Sequence, residues 1–367
     1  MRLNCLLILI FTFLSAFPKK VQCQIKFHSP KLFGFSYMGR INFTNPERPV
    51  LWQPGTNICF AFMGDSCGII LEDEVRWGNN HNYIQIVIDG ISTRNKLLNK
   101  IDTIWVRGSS NVREHLVEVY KNTEANIGSL TFNGVLCTGI KKIHHQNSLK
   151  IECIGNSITC GTGSDLSQIK CGAGVWYDQH NAYLSYGAVL ARKLKAQFML
   201  SSVSGIGLTR SCCNNPLTIN QVIDKIDMSG NQMSWDFNRY QPDIVTICIG
   251  QNDGVQEISV FVEKYVVFIQ YLRSKYPKSH FIFLSSPMAD AALKIFMIQS
   301  LDQVVNRLHS LGEKNISSYY FSKKYSLGCD GHPSISEHEE IAGELEKHIR
   351  SIKNRRVVNK LGMHTFK

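Results

Sequence analysis

Ser157, Gly205, Asn252 and His332 are residues whose types could together break an ester. A serine hydroxyl is a weak nucleophile until a base takes its proton, and an imidazole titrating near neutrality can take it and give it back. The oxyanion that forms when a hydroxyl adds to a carbonyl needs preorganised hydrogen-bond donors. Each residue lies in a short polar block: Gly155-Asn156-Ser157, Ser204-Gly205-Ile206-Gly207, Gly250-Gln251-Asn252-Asp253 and Asp330-Gly331-His332-Pro333. Ser157 is not in a G-x-S-x-G elbow, because Ile158-Thr159 follows where that motif needs glycine. A serine at the start of a helix also has a plain structural use as an N-cap.

Positioning these blocks requires strands that end together. Ile151–Ile154, Phe198–Val203, Asp243–Ile249, Phe281–Leu284 and Tyr319–Phe321 read as strands, the third as an almost unbroken apolar run buried on both faces. Helical periodicity occupies Asn181–Ala196, Ile258–Lys275, Ala292–Leu311 and Glu337–Ile352. The alternation predicts an α/β three-layer domain with a parallel sheet over residues 146–352. Strand C-termini then share one edge, so the polar blocks can converge on one crevice. Asp253 reads as a loop and helix-cap residue.

Residues 24–145 differ. Short runs rich in β-branched and aromatic residues, such as Ile58–Phe62, Tyr83–Ile88 and Leu116–Tyr120, are separated by Pro54-Gly55, Gly64-Asp65 and Asp89-Gly90. This spacing predicts an all-β sandwich. His81 and His115 read as surface or strand-face histidines. The adjacent His144-His145 point opposite ways on a strand and do not suit one shared metal.

Arg2 followed by the apolar run Cys5–Leu14 and by Ser15-Ala16 has the form of a signal peptide, assigned to residues 1–23. No other stretch is long and apolar enough to cross a membrane. Net charge is +11, but eight of the 40 basic residues lie in that leader and in a tail, 353–367, expected to be disordered. The remaining 32 face 29 acidic residues, a balance without a footprint for nucleic acid. Twelve cysteines suit an oxidising compartment. They show no repeated C-x-x-C, which disfavours a zinc site, and no metal is expected. Cys153 and Cys248 read as free core thiols, and Cys160 with Cys171 as a disulfide bracketing a Gly-rich loop. Asn42 and Asn315 stand in N-x-S/T sequons.

In this order, the four polar blocks resemble the signature blocks of the SGNH hydrolases, the GDSL-type esterases and lipases. The N-terminal half is similar to the small jelly-roll-like domain of carbohydrate esterase family 2, through Met38-Gly39-Arg40, Leu51–Thr56, Asn82-Tyr83, Ile86–Gly90 and Lys121-Asn122-Thr123-Glu124-Ala125. Ser185-Tyr186-Gly187, Trp235-Asp236-Phe237 and Gln241-Pro242-Asp243 extend the likeness through the second half. The resemblance implies Ser157 as nucleophile, His332 as base, and an oxyanion hole from the N–H groups of Ser157 and Gly205 and the amide of Asn252. Where many SGNH enzymes carry an Asp three residues before the histidine, this chain has Cys329. Asp330 or a backbone carbonyl is then left to support His332. An aromatic residue that often covers the site in the family is replaced by Gly331. Trp176 and Tyr177 are candidates to stack on a sugar.

The implied function is a secreted, periplasmic or cell-surface serine esterase that removes O-acetyl groups from a xylan- or mannan-like polysaccharide or oligosaccharide. It would need no cofactor, bind no nucleic acid and have no stable membrane insertion once the signal is removed. The alternatives are a GDSL-type lipase or thioesterase acting on acyl lipids, and a non-catalytic carbohydrate-binding protein.

Overall fold

Alternation along the first strands dictates how the amino-terminal half folds. Ile58, Phe60 and Phe62 fall on one face of a strand whose neighbours carry Val117 and Val119, and all five bury against Ile69, Leu71, Phe132 and Val135 of a second sheet. The computed structural model describes residues 24–109, 112–143, 149–228 and 233–362. Within them the first half holds β1 (Lys26–His28), β2 (Ser36–Met38), β3 (Ile41–Asn42), β4 (Val50–Leu51), β5 (Asn57–Met63) and β6 (Ser66–Asp73). It continues with β7 (Tyr83–Ile88), β8 (Ile91–Lys96), β9 (Ile101–Arg107), β10 (Glu114–Lys121), β11 (Leu130–Cys137) and β12 (Gly139–Lys141). One sheet runs β3-β4-β11-β6-β9 with β1 on β11, the other β12-β5-β10-β7-β8 with β2 on β5, and every pairing is antiparallel. The expected sandwich is present. Asp89 and Gly90, both at positive φ, make the two-residue turn from β7 to β8. Of the two readings of His115, the strand-face one holds: on β10 it is fully buried, its Nδ1 2.7 Å from Asp89 Oδ2.

The second half holds β13 (Lys150–Gly155), α1 (Ser157–Cys160), α2 (Tyr186–Lys193), β14 (Gln197–Ser202), α3 (Ile219–Val222) and β15 (Ile244–Cys248). After these come α4 (Ile258–Lys275), β16 (His280–Leu284), α5 (Ala291–Ser310), β17 (Ile316–Tyr319) and α6 (Ile335–Gly362). Strands order as β14-β13-β15-β16-β17, all parallel. Every residue of β15 is buried, as its apolar run requires. Val245 and Ile247 pack beneath α4 and α5, while Cys248 and Ile282 pack beneath α2 and α6. The chain reverses its direction of strand addition at β13, so the crevice outside the ends of β13 and β15 is the site this topology favours for a ligand.

Three elements of the second half differ from the sequence reading by more than two residues. The helix expected over Asn181–Ala196 is split, because Ser185 is extended and the short 3₁₀ turn Ala182–Leu184 is capped by the Asn181 side chain. The last strand lies at Ile316–Tyr319 rather than 319–321. The closing helix does not stop at Ile352 but continues to Gly362. No Gly or Pro lies between Ile352 and Gly362, and basic residues are favoured at a helix C-terminus. The leader, His144-His145 and residues 363–367 lie outside the described residues.

The two halves are joined by buried polar contacts. Arg40, wholly inaccessible, reaches from the sandwich to the carbonyls of Ile223 (2.6 Å) and Lys225 (2.8 Å) and to Glu152 Oε1 (3.2 Å) on β13. Asn122 accepts from the backbone of Ala182 (3.1 Å) and, through its side chain, of Tyr183 (3.2 Å).

Candidate active site

Ser157 opens α1 immediately beyond β13. The capping role falls to Asn156, whose Oδ1 accepts the N–H of Ile158 at 3.1 Å, so the serine hydroxyl is not spent on the helix end. The turn is tight. A Cβ on Gly155 would fall 2.0 Å from Thr159 Oγ1, and Gly161 closes the helix in the left-handed region at φ 75°.

Gly205 follows β14 at φ +77°, a conformation that a side chain would strain. Its carbonyl accepts the N–H of Cys212 at 2.9 Å. Asn252, beyond β15, donates one amide hydrogen to Ile206 O at 2.8 Å, which leaves the second hydrogen of that NH₂ for another acceptor. Asp253 is buried and gathers the loop, accepting from Thr209 N (2.6 Å), Thr209 Oγ1 (2.8 Å) and Leu208 N (3.0 Å). It organises backbone, as its position led one to expect.

His332 follows a 3₁₀ turn over Cys329–Gly331. Its Nδ1 lies 3.1 Å from the carbonyl oxygen of Cys329, which fixes the proton on Nδ1 and leaves Nε2 as the basic nitrogen. Burial pushes its pKa below the usual histidine value, and the bond to Cys329 and the charge of Asp330 oppose that shift. Asp330 itself is exposed, at φ 53°, and no hydrogen bond joins its carboxylate to His332 among the described residues. Of the two supports left open by the sequence, the carbonyl is the one in contact.

Ser157, Gly205, Asn252, Asp330, His332 and Trp176 all line one cavity of about 750 Å³. Ser157 and His332 face it together without a direct hydrogen bond between them among the described residues. Trp176 is half-exposed at the rim. Tyr177 is a correction: it packs with Tyr83 and Ile127, and its hydroxyl meets His81 N at 3.3 Å, so it joins the halves rather than facing the cavity.

The expected Cys160–Cys171 disulfide is absent. Cys160 is a buried free thiol whose Sγ faces Ser202 Oγ at 3.2 Å, and Cys171 instead pairs with Cys329, 158 residues on. Cys153 and Cys248 are buried free thiols, as expected. Sequence reasoning missed a second disulfide between the adjacent Cys212 and Cys213, both on the cavity wall. It also missed Asn126, which the sandwich contributes to the same cavity, and gave no role to Glu124. The adjacent cysteines were the available signal for the first. The others rest on contacts between distant segments.

Strand order, convergent loops and a serine and histidine facing one cavity define a hydrolase of the GDSL type. The chain belongs to the GDSL-like lipase/acylhydrolase family, whose model matches residues 153–358, and is a carboxylic ester hydrolase. Within that class, residues 37–146 match the N-terminal domain of carbohydrate esterase 2. The cellulase/esterase CelE of Acetivibrio thermocellus is 29% identical over 330 residues, covering 87% of this chain, and the chain spans 39% of that relative's length. An acetylxylan esterase/glucomannan deacetylase of Cellvibrio japonicus is 26% identical, over 86% of this chain and 88% of its own. A family two carbohydrate esterase from Clostridium thermocellum, solved in complex with cellohexaose, superposes with a TM-score of 0.79 at 27% identity, covering 90% of this chain and 99% of that one.

Proposed function

We propose that this protein is an exported esterase that removes O-acetyl groups from a polysaccharide of the xylan or glucomannan kind, through a Ser157–His332 dyad. The observation that carries this reading is the convergence of Ser157, Gly205, Asn252 and His332, from four separate loops, on one cavity. His332 Nε2 takes the Ser157 proton as Oγ adds to the acetyl carbonyl. The oxyanion is held by the N–H groups of Ser157 and Gly205 and the free amide hydrogen of Asn252. His332 then gives the proton to the departing sugar oxygen, and water repeats the cycle on the acyl-enzyme. Cys329 O orients the imidazole in place of a carboxylate. Trp176 at the rim offers a face to a sugar ring, and the named activities of the relatives favour an acetylated glycan.

A second reading, a lipase or thioesterase, draws on Val203, Leu217, Met228 and Met288, whose side chains give the cavity room for a longer acyl chain. Hydrolysis of 4-nitrophenyl acetate against the octanoate separates the two, with Ser157→Ala as the control. The acetyl esterase turns over the acetate faster, and Ser157→Ala loses activity while keeping the parental Tm. Preference for octanoate would replace the first reading by the second. No turnover of either ester would leave only carbohydrate binding.

A further inference from the structure

Oxyanion donors work only when held in place before the charge arrives. Here the loop that carries Gly205 is held from outside its own domain. Glu124 belongs to the sandwich, three residues beyond β10, and is 1% exposed. Its Oε2 accepts the N–H of Ser204 at 2.7 Å and its Oε1 accepts the Ser204 hydroxyl, so one carboxylate grips the residue just before Gly205 twice. The Ser204 hydroxyl also meets Thr162 Oγ1 at 2.9 Å, which ties the same point to the loop that follows α1. Cys160 of α1 sets its Sγ 3.8 Å from Oε2.

A carboxylate this deeply buried is costly, and burial pushes its pKa up while the Ser204 bonds and Lys121 oppose that. The neighbouring structure is built to tolerate it. Lys121, also fully buried, donates to the carbonyls of Thr123 (2.6 Å) and Glu124 (3.1 Å) and so fixes the backbone from which the carboxylate projects. His180 Nδ1 lies 3.9 Å from Oε1. Two residues further on, Asn126 faces the cavity.

We propose that Glu124 is a positioning residue for the oxyanion hole, so that the β-sandwich completes the catalytic site and supplies Asn126 to contact the glycan, rather than serving as a separable binding module. The inference rests on the esterase reading above and goes beyond it, since it makes the turnover of one half depend on a side chain of the other.

The test uses the full-length protein. Wild-type turnover of 4-nitrophenyl acetate is measured first, and its absence would refute the esterase reading itself. Given that activity, Glu124→Gln keeps the size of the side chain but replaces one acceptor by a donor. It should lower kcat about tenfold or more with KM little changed, since a misplaced donor is felt in the transition state. Inhibition by phenylboronic acid, which adds to Ser157 as a tetrahedral adduct, should weaken in parallel, while affinity for an unacetylated oligosaccharide stays unaltered. Ser204→Ala removes one of the two grips and should lower kcat in the same direction by less. It decides the matter if Glu124→Gln does not fold. Asn126→Ala should raise KM for acetylated oligosaccharide severalfold, and by more than it raises KM for 4-nitrophenyl acetate. A folded variant of Glu124 or Ser204 with wild-type kcat and wild-type boronate affinity would overturn the role of Glu124, and an unchanged oligosaccharide KM in Asn126→Ala would overturn the glycan contact.

Discussion

His332 Nδ1 and the carbonyl oxygen of Cys329 are 3.1 Å apart, and the backbone N–H of His332 donates to the same oxygen at 3.0 Å. A single carbonyl therefore fixes both where the histidine starts and which way its ring faces. That carbonyl is itself anchored: Cys329 N donates to Gly163 O at 2.8 Å, Gly328 N to His332 O at 2.7 Å, and Cys329 Sγ is bonded to Cys171.

With the imidazole oriented by a carbonyl, Asp330→Asn should keep kcat within about tenfold of the parent, whereas loss of a working triad carboxylate costs roughly 10⁴. The charge of Asp330 favours the imidazolium, so its removal should move the acid limb of kcat/KM to lower pH. A pH–rate profile of the variant measures both. A loss of 10³ or more would show that the carboxylate serves the imidazole.

The two disulfides should separate under mutation. Cys171–Cys329 closes a loop of 158 residues, and Cys171→Ser should cost about 2–4 kcal/mol of stability along with activity. Cys212–Cys213 spans adjacent residues and closes no loop of consequence, yet Cys212 Sγ lies 3.4 Å from Asn252 Oδ1 and Cys212 N holds Gly205 O. Replacing both by Ala should leave Tm nearly unchanged and lower kcat. Thermal melts beside steady-state kinetics decide between these patterns.

Acid should destabilise the fold before it destroys it. His180 and His338 are fully buried and held neutral, each with its pKa pushed down to about 3 by burial. The unfolded chain takes up these protons near pH 6.5 and the folded one only near 3, so stability present above pH 6.5 is lost as pH falls across that window. The slope is about 1.4 kcal/mol per pH unit for each histidine. His338 accepts the N–H of Tyr186 at 3.1 Å, and His338→Gln should flatten the pH dependence of the guanidinium midpoint by one proton. An unchanged slope would place its titration elsewhere.

Trp176 stands half-exposed at the cavity rim, against the edge of His180 at 4.7 Å. Trp176→Ala should raise KM for acetylated oligosaccharide severalfold, in keeping with about 1 kcal/mol or more for an aromatic contact, and leave 4-nitrophenyl acetate hydrolysis near the parental rate.

What was legible in the sequence follows from the range of the interactions. The almost unbroken apolar run of β15 announced a strand buried on both faces, and the polar blocks beyond β13, β14 and β15 announced a shared edge, because both are local patterns. Asn156 as the cap beside Ser157 was not separable from a serine cap by pattern alone. Tyr177 and Trp176 are neighbours in sequence, yet one is pinned inside by His81 and the other faces the cavity. The partner of Cys171 and the reach of Glu124 to Ser204 depend on segments 158 and 80 positions away. No local rule encodes such distances.

Arg40 and Glu152 set a condition on any attempt to transplant the hydrolase half. Glu152 lies on the first parallel strand with no accessible surface, and its counter-charge comes from the sandwich. Severed at the linker, the C-terminal piece would keep a carboxylate embedded in its own sheet and lose the guanidinium that neutralises it. Protein engineers seeking a minimal enzyme would therefore have to redesign position 152 together with position 201, whose hydroxyl donates to the same oxygen at 2.6 Å, before trimming anything.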